Sequence, residues 1–316
     1  MSVFKITLNK LLEKLKEKKA TENWQNRSNL SQSFDGHISK LTPAELDKLL
    51  LPLLKNKTFV ENLLSLSQSS YRHSGNYMQQ KLSEKIVTKI YQVIKNDKSS
   101  VQNILQFKNV SESLLEKIIE KCASIENKDW YASSYIVNHV NFTKALEDKV
   151  VGSPKKYSFL YEQLAEVSKT EANLLKISKY LKDSWWTMRK LIKKRCLSHD
   201  SLEKIAKFAP DEVARHSLKL TPDFVDTLAE SKDKKVVASA ITNRNMRPET
   251  MRRLLEEADP TEDYSIIHGV AYNKKATVEN LALAFSKCGT SIWITKEFLK
   301  HKDLVEHIQN KLKESK

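Results

Sequence analysis

One ten-residue pattern constrains this chain more than any other, because it starts a helix wherever it occurs. In Leu220-Thr221-Pro222-Asp223-Phe224-Val225-Asp226-Thr227-Leu228-Ala229 an apolar residue precedes Thr221, whose hydroxyl is suited to cap a helix N-terminus. Pro222 follows at the first helical position, where a missing N–H costs nothing, and Asp223 opposes the positive end of the macrodipole. Val225, Leu228 and Ala229 then fall at helical spacing. The frame returns as Leu41-Thr42-Pro43-Ala44-Glu45, as Leu197-Ser198-His199-Asp200-Ser201 and as Met246-Arg247-Pro248-Glu249-Thr250, with weaker copies starting at Val110 and Ala276. The copy at Thr42 carries the glutamate of a capping box.

The fold class follows from what joins these helices. Five glycines and seven prolines in 316 residues are too few for the turns of an all-β fold or for glycine-rich cofactor loops, whereas 40% hydrophobic content supplies a substantial core. The chain therefore reads as all-α, with short polar turns and no cofactor.

Along the chain, residues 1–35 read as a basic amphipathic N-terminal arm and polar linker. Phe4, Leu8, Leu11, Leu12 and Leu15 share one helical face, which is expected to cap the protein's own core, the alternatives being an anionic membrane surface or a partner, and Thr21 to Ser33 reads as a flexible linker or loop. Residues 36–152 form an N-terminal helical region. Its expected helices cover 42–51, 58–66, 77–95, 101–107, 112–124, 129–139 and 144–151, with a loop over 67–75. Gly152-Ser153-Pro154 marks the softest boundary, and residues 153–316 form the helical-repeat region.

From Ser184 onward each unit has a first helix, a short basic turn, and then the decamer with its second helix. Leu202, Val225, Met251 and Leu281 are equivalent at intervals of about 23 to 30 residues, the period of a solenoid. Ala240-Ile241-Thr242-Asn243-Arg244-Asn245-Met246 aligns without a gap on Val270-Ala271-Tyr272-Asn273-Lys274-Lys275-Ala276, and Val213-Ala214-Arg215-His216 repeats the theme with one extra residue. Over Asp211 to Phe285 this resembles the leucine-rich repeat variant, a short helical repeat of the HEAT-like class. Its units carry a Val-Ala-x-Asn stretch, a proline after the turn and a leucine-bearing helix. Arg244 and Lys274 stand where that family commonly has proline after asparagine. The resemblance implies a right-handed α-solenoid of short helical hairpins and a binding surface, without naming a ligand.

Charge points to the kind of ligand. Lys plus Arg number 54 against 39 Asp plus Glu, a net +15, which favours nucleic acid, acidic proteins or anionic lipid, although lysine-rich composition also follows from an AT-rich genome. Cations collect at the turns: Lys193, Lys194 and Arg195 in one unit, Arg215 in the next, then Arg244 and Arg247, then Lys274 and Lys275. Stacked units would align them in a basic ridge able to hold an acidic partner or a phosphate backbone, with Arg244 and Arg247 the strongest candidates because arginine holds phosphate bidentately. The same cations complement helix C-termini in any helical protein. Trp185 and Trp186, beside Arg189 and Lys190, are a candidate aromatic platform for a base. Asp183-Ser184-Trp185-Trp186 is similar in residue types to HEAT-like alkylpurine DNA glycosylases, which use tryptophans and an aspartate in a basic groove. That likeness implies a DNA-repair enzyme as the alternative function.

No other stretch carries catalytic chemistry. Ser198-His199-Asp200 has triad residue types, but consecutive residues at a helix start cannot form the triad's hydrogen-bond chain. His301 and His307 diverge on a helix, and no CxxC pair, phosphate-binding loop or H-E-x-x-H helix occurs, so neither a metal nor a catalytic residue is expected. Cys122, Cys196 and Cys288 are odd in number and widely spaced, as in a reducing compartment, and Val3-Phe4-Lys5-Ile6 is too short for a signal-peptide core. The expectation is a cytoplasmic, non-enzymatic binding scaffold without a transmembrane segment, which engages a macromolecular partner through its concave face and the basic turn ridge. Its expected partner is another protein, with DNA or RNA the alternative; a small-molecule ligand is not expected.

Overall fold

A computed structural model describes residues 7–18, 20–69, 80–124, 130–181, 183–288 and 292–314. Among the described residues every regular element is helical and there is no strand. No helix among them is long and apolar enough to cross a membrane. The chain divides into two compact units, Met1–Gln163 and Leu164–Lys316.

The first unit begins earlier than the amphipathic pattern and linker suggest. The expected linker is a helix, Trp24–Ile38, started by Asn23, whose side chain accepts the Gln25 N–H. Leu30, Phe34 and Ile38, each four residues from the next, bury one narrow row, which suffices to dock an otherwise polar helix on Lys57–Ser69. Leu11, Leu12 and Leu15 are buried too, and Asn62 donates to the Leu15 and Glu17 carbonyls, so described residues 7–38 are packed helix and turn, not an arm. Phe4 and Lys5 lie outside the described residues. So do the expected helix start at 77–79, most of the expected loop over 67–75, and the expected start at Asp129; Ser67 to Ser69 continue the preceding helix, and the expected helix over 77–95 is interrupted, with Gln80 and Lys81 helical and Ser83 capping a separate helix, Glu84–Ile94.

Gly152-Ser153-Pro154 does not separate the units. Pro154 opens a further turn of helix, Pro154–Tyr157, and Tyr157 is buried and donates to Glu120, which Lys156 also contacts. The division falls beyond that anchored segment, between residues 163 and 164.

In the second unit the helices alternate between two layers. The helix Pro210–His216 packs on Trp185–Ile192 and on Lys234–Ile241, which in turn packs on Tyr264–Tyr272 and that helix on Ile292–Phe298. The intervening second helices form the other layer, Glu171–Ser178 on His199–Ala206 and Pro248–Glu257 on Val278–Lys287. One glycine permits the closest approach. A Cβ on Gly269 would lie 2.3 Å from Ile241 Cγ2 and 3.2 Å from the Ala238 carbonyl oxygen.

The capping frame acts as its residues suggest. Thr42, Ser83, Ser111, Thr143, Ser198, Thr221 and Thr277 each accept the backbone N–H three residues on. Replacing Ser111 by alanine is expected to cost about 1 kcal/mol in urea unfolding, the usual worth of such a cap. Glu171 links two units of the frame, accepting the Ser198 N–H at 2.6 Å, and this bond with that of the Ser198 hydroxyl holds its carboxyl down at about 2. A carboxylate lowered on folding contributes stability above its unfolded value and loses it as pH falls towards about 2. Glu171→Gln should therefore lower stability at neutral pH and flatten its decline between about pH 5 and 2, as read by urea midpoints against pH.

Candidate binding edge on the turns

The three residues before the decamer prove as regular as the decamer itself. In Asn243-Arg244-Asn245 the Asn243 side chain accepts the Asn245 N–H at 2.9 Å, and the Met246 N–H returns to the Asn243 carbonyl at 3.1 Å, closing a tight turn for which asparagine is favoured at the first position. Asn273 does the same for the Lys275 N–H, Ser217 for Lys219, and His139, in the first unit, for Asn141. Because His139 Nδ1 accepts there, its proton sits on Nε2, which donates to the Phe107 carbonyl at 2.9 Å.

In several turns the third residue then reaches back to the turn before it. Asn245 donates to the Leu218 and Leu220 carbonyls at 3.3 and 2.8 Å, which flank Lys219; Lys219 Nζ donates to those of Arg195 and Leu197 at 2.5 and 2.7 Å, which flank Cys196. In the first unit Asn141 clasps Lys108 and Val110, Asn109 clasps Gln80 and Leu82, and Lys81 clasps Ser39 and Leu41 in the same way. Asn243 adds bonds to the Ala214 and Ser217 carbonyls at 2.6 and 2.9 Å, and Asn273 to those of Ile241 and Asn243, both at 2.8 Å. These side chains satisfy carbonyls that the helix ends leave open. The sequence pattern alone does not carry this frame into the first unit; the asparagines before Val110 and Phe142 are its signal there.

Leu218 and Arg244 in the second unit and Val140 in the first stand as tips between a side chain that closes the turn and one that clasps back. Arg195 and Lys274 take the equivalent position in their turns, Gln80 and Lys108 precede the clasping Lys81 and Asn109, and all seven tips are exposed. Helix packing sets neighbouring tips about 10 Å apart.

The expected ridge residues divide on this frame. Arg195, Arg244 and Lys274 are tips, Lys275 is exposed beside the last, and Arg244, Lys274 and Lys275 form no ion pair among the described residues. Arg247 is engaged instead: it stands where other units have the capping hydroxyl and pairs with Asp223 and with Asp226, the latter at 2.9 Å. Lys194 donates to the Glu166 carbonyl. Arg215 is not a tip, because the extra residue Ser217 moves Leu218 there, and its guanidinium donates to Ser239 on the next first helix at 3.2 Å. Lys193 and Arg189 lie with Arg215 around His216, which burial and then these cations push down to about 4, so that it is neutral at pH 7 beside Glu212.

Trp185 and Trp186 are both more than half exposed and meet edge to face. Lys190, paired with Glu166 at 2.5 Å, lies over the Trp186 ring. Asp183 is exposed. One further set, Tyr264, His268 and Tyr272, forms a column of touching rings along one helix, and both tyrosines are exposed. Its spacing of four residues is visible in the sequence, but the pattern there reads as buried helix. Among the described residues no group of three or more metal-ligating side chains gathers. Comparison with known protein families, curated proteins and solved structures finds no match.

Proposed function

We propose that the protein is a non-enzymatic helical-repeat scaffold, a right-handed α-solenoid of the HEAT-like, leucine-rich-repeat-variant kind, which holds an acidic protein along the turn edge of its second unit. The supporting observation is the row Arg195, Leu218, Arg244 and Lys274, presented on hydrogen-bonded turns. An exposed leucine among unpaired cations suits a protein surface that offers carboxylates around an apolar contact. A phosphate backbone would leave Leu218, 58% exposed, without a counterpart. Nucleic acid is the second reading, favoured by the exposed tryptophan pair; the glycosylase alternative has only Asp183 and those tryptophans in its support.

A photoreactive residue replacing Leu218, with one replacing exposed Lys204 on a second helix as control, tests this reading in the native cell. The expected result is a protein adduct at 218 that is absent at 204 and is lost when Arg244 and Lys274 are changed to Glu. A nucleic-acid adduct at 218, or equal labelling from 204, would overturn it.

A further inference from the structure

The layer of first helices in the second unit carries a different surface. At one end Trp185 and Trp186 expose 59% and 54% of their area. At the other, three helices on, Tyr264 and Tyr272 flank His268, with ring centroids 5.6 and 4.8 Å from it. Cations stand next to the tryptophans. Arg189 is on the tryptophan helix itself, Lys193 caps that helix and Arg215 is on the next, all close enough to His216 to depress its protonation.

The carboxylates near this face are mostly accounted for. Glu166 is paired with Lys190, Asp263 with Lys234 and Glu297 with Lys300, and burial pushes the Glu212 carboxyl up. Asp183, exposed ahead of the tryptophans, and Asp211, which opposes the positive end of its own helix Pro210–His216, are further carboxylates here. Arg189 and Lys193 have no ion pair among the described residues, and Arg215 bonds only the Ser239 hydroxyl.

We propose that this face binds single-stranded nucleic acid, with unpaired bases stacked on the tryptophan and tyrosine rings and the phosphates next to the tryptophans held by Arg189, Lys193 and Arg215. Aromatic rings with adjoining cations are what unpaired strands require, since every base has a face to stack and every linkage a charge. A duplex hides its base faces and would gain nothing from the rings. Three helix spacings of about 10 Å separate the tryptophans from the tyrosines. The site is distinct from the turn edge and does not depend on its partner.

Fluorescence anisotropy of the full chain with a labelled 12-nucleotide single strand, its duplex and a poly-glutamate competitor decides the matter. The expected result is single-strand binding at least tenfold tighter than duplex binding. It should weaken about tenfold in Trp185→Ala and again in Tyr272→Ala, as loss of a stacked base does. Arg189→Gln and Arg215→Gln should each reduce the slope of log affinity against log salt by about 0.7. All four side chains are at least partly exposed, so unchanged circular dichroism is expected. No single-strand binding at 50 mM salt, equal duplex affinity, indifference to the aromatic substitutions, or equal displacement by poly-glutamate would each overturn the assignment.

Discussion

Asn243→Ala is expected to lower stability by about 3 kcal/mol in urea unfolding followed by circular dichroism, a loss that Asn273→Ala should share. Asn243 is 2% exposed, and its amide accepts the Asn245 N–H while donating to the Ala214 and Ser217 carbonyls. Truncation leaves those three groups without their partner inside the protein, and each buried polar group so abandoned costs more than an ordinary hydrogen bond contributes. Asn243→Asp should be no milder despite its shape, because a carboxylate would face two carbonyl oxygens that need donors. By contrast Arg244→Ala, one residue on and exposed, should fall within about 0.5 kcal/mol of the parent. His139 does the same work in the first unit with a ring. His139→Asn should therefore retain most of the stability that His139→Ala loses. Equal losses in the two would show that the turn needs the ring's bulk and not its bonds.

Gly269→Ala should destabilise by about 2 kcal/mol, although alanine in place of glycine inside a helix ordinarily gains about 1 kcal/mol. The sign is decided by packing. The added methyl would lie 2.3 Å from Cγ2 of Ile241, a fully buried β-branched residue that has no free rotamer, and 3.2 Å from a backbone oxygen that cannot rotate away. Helices Lys234–Ile241 and Tyr264–Tyr272 must then separate. Ile241→Ala should itself destabilise, but combined with Gly269→Ala the two losses should be clearly less than additive. Additive losses, or a stabilised Gly269→Ala, would mean that the two helices do not approach as closely as described.

Much of this architecture is legible in the chain before any coordinates. A threonine or serine before an amphipathic run specifies a helix start through one local hydrogen bond, so Thr42, Ser198 and Thr221 identify their helices directly. The clasp between turns is harder to read, because its chemistry is conserved while its residues are not. His139, Ser217, Asn243 and Asn273 share only a short acceptor, and Lys81, Asn109, Lys219 and Asn245 only a donor of suitable reach. The position of Arg215 was misleading for a similar reason: one inserted residue, Ser217, shifts which side chain becomes the tip. Arg247 is a long-range case, since Asp223 and Asp226 that neutralise it belong to the preceding second helix. The helix over residues 24–38 is nearly invisible in sequence because its buried row rests on only three apolar side chains at intervals of four, Leu30, Phe34 and Ile38.

Amide hydrogen exchange at the turns measures most directly whether these loops are fixed frames for their tip residues. The Asn141, Lys219, Asn245 and Lys275 N–H groups, each held by the side chain two residues earlier, should be protected. Those of the tips Val140, Leu218, Arg244 and Lys274 should exchange freely, and Asn243→Ala should release Asn245 selectively. Uniformly fast exchange across both sets would mean that the turns are ordinary mobile loops, and that no ordered edge of Arg195, Leu218, Arg244 and Lys274 exists for a partner to recognise.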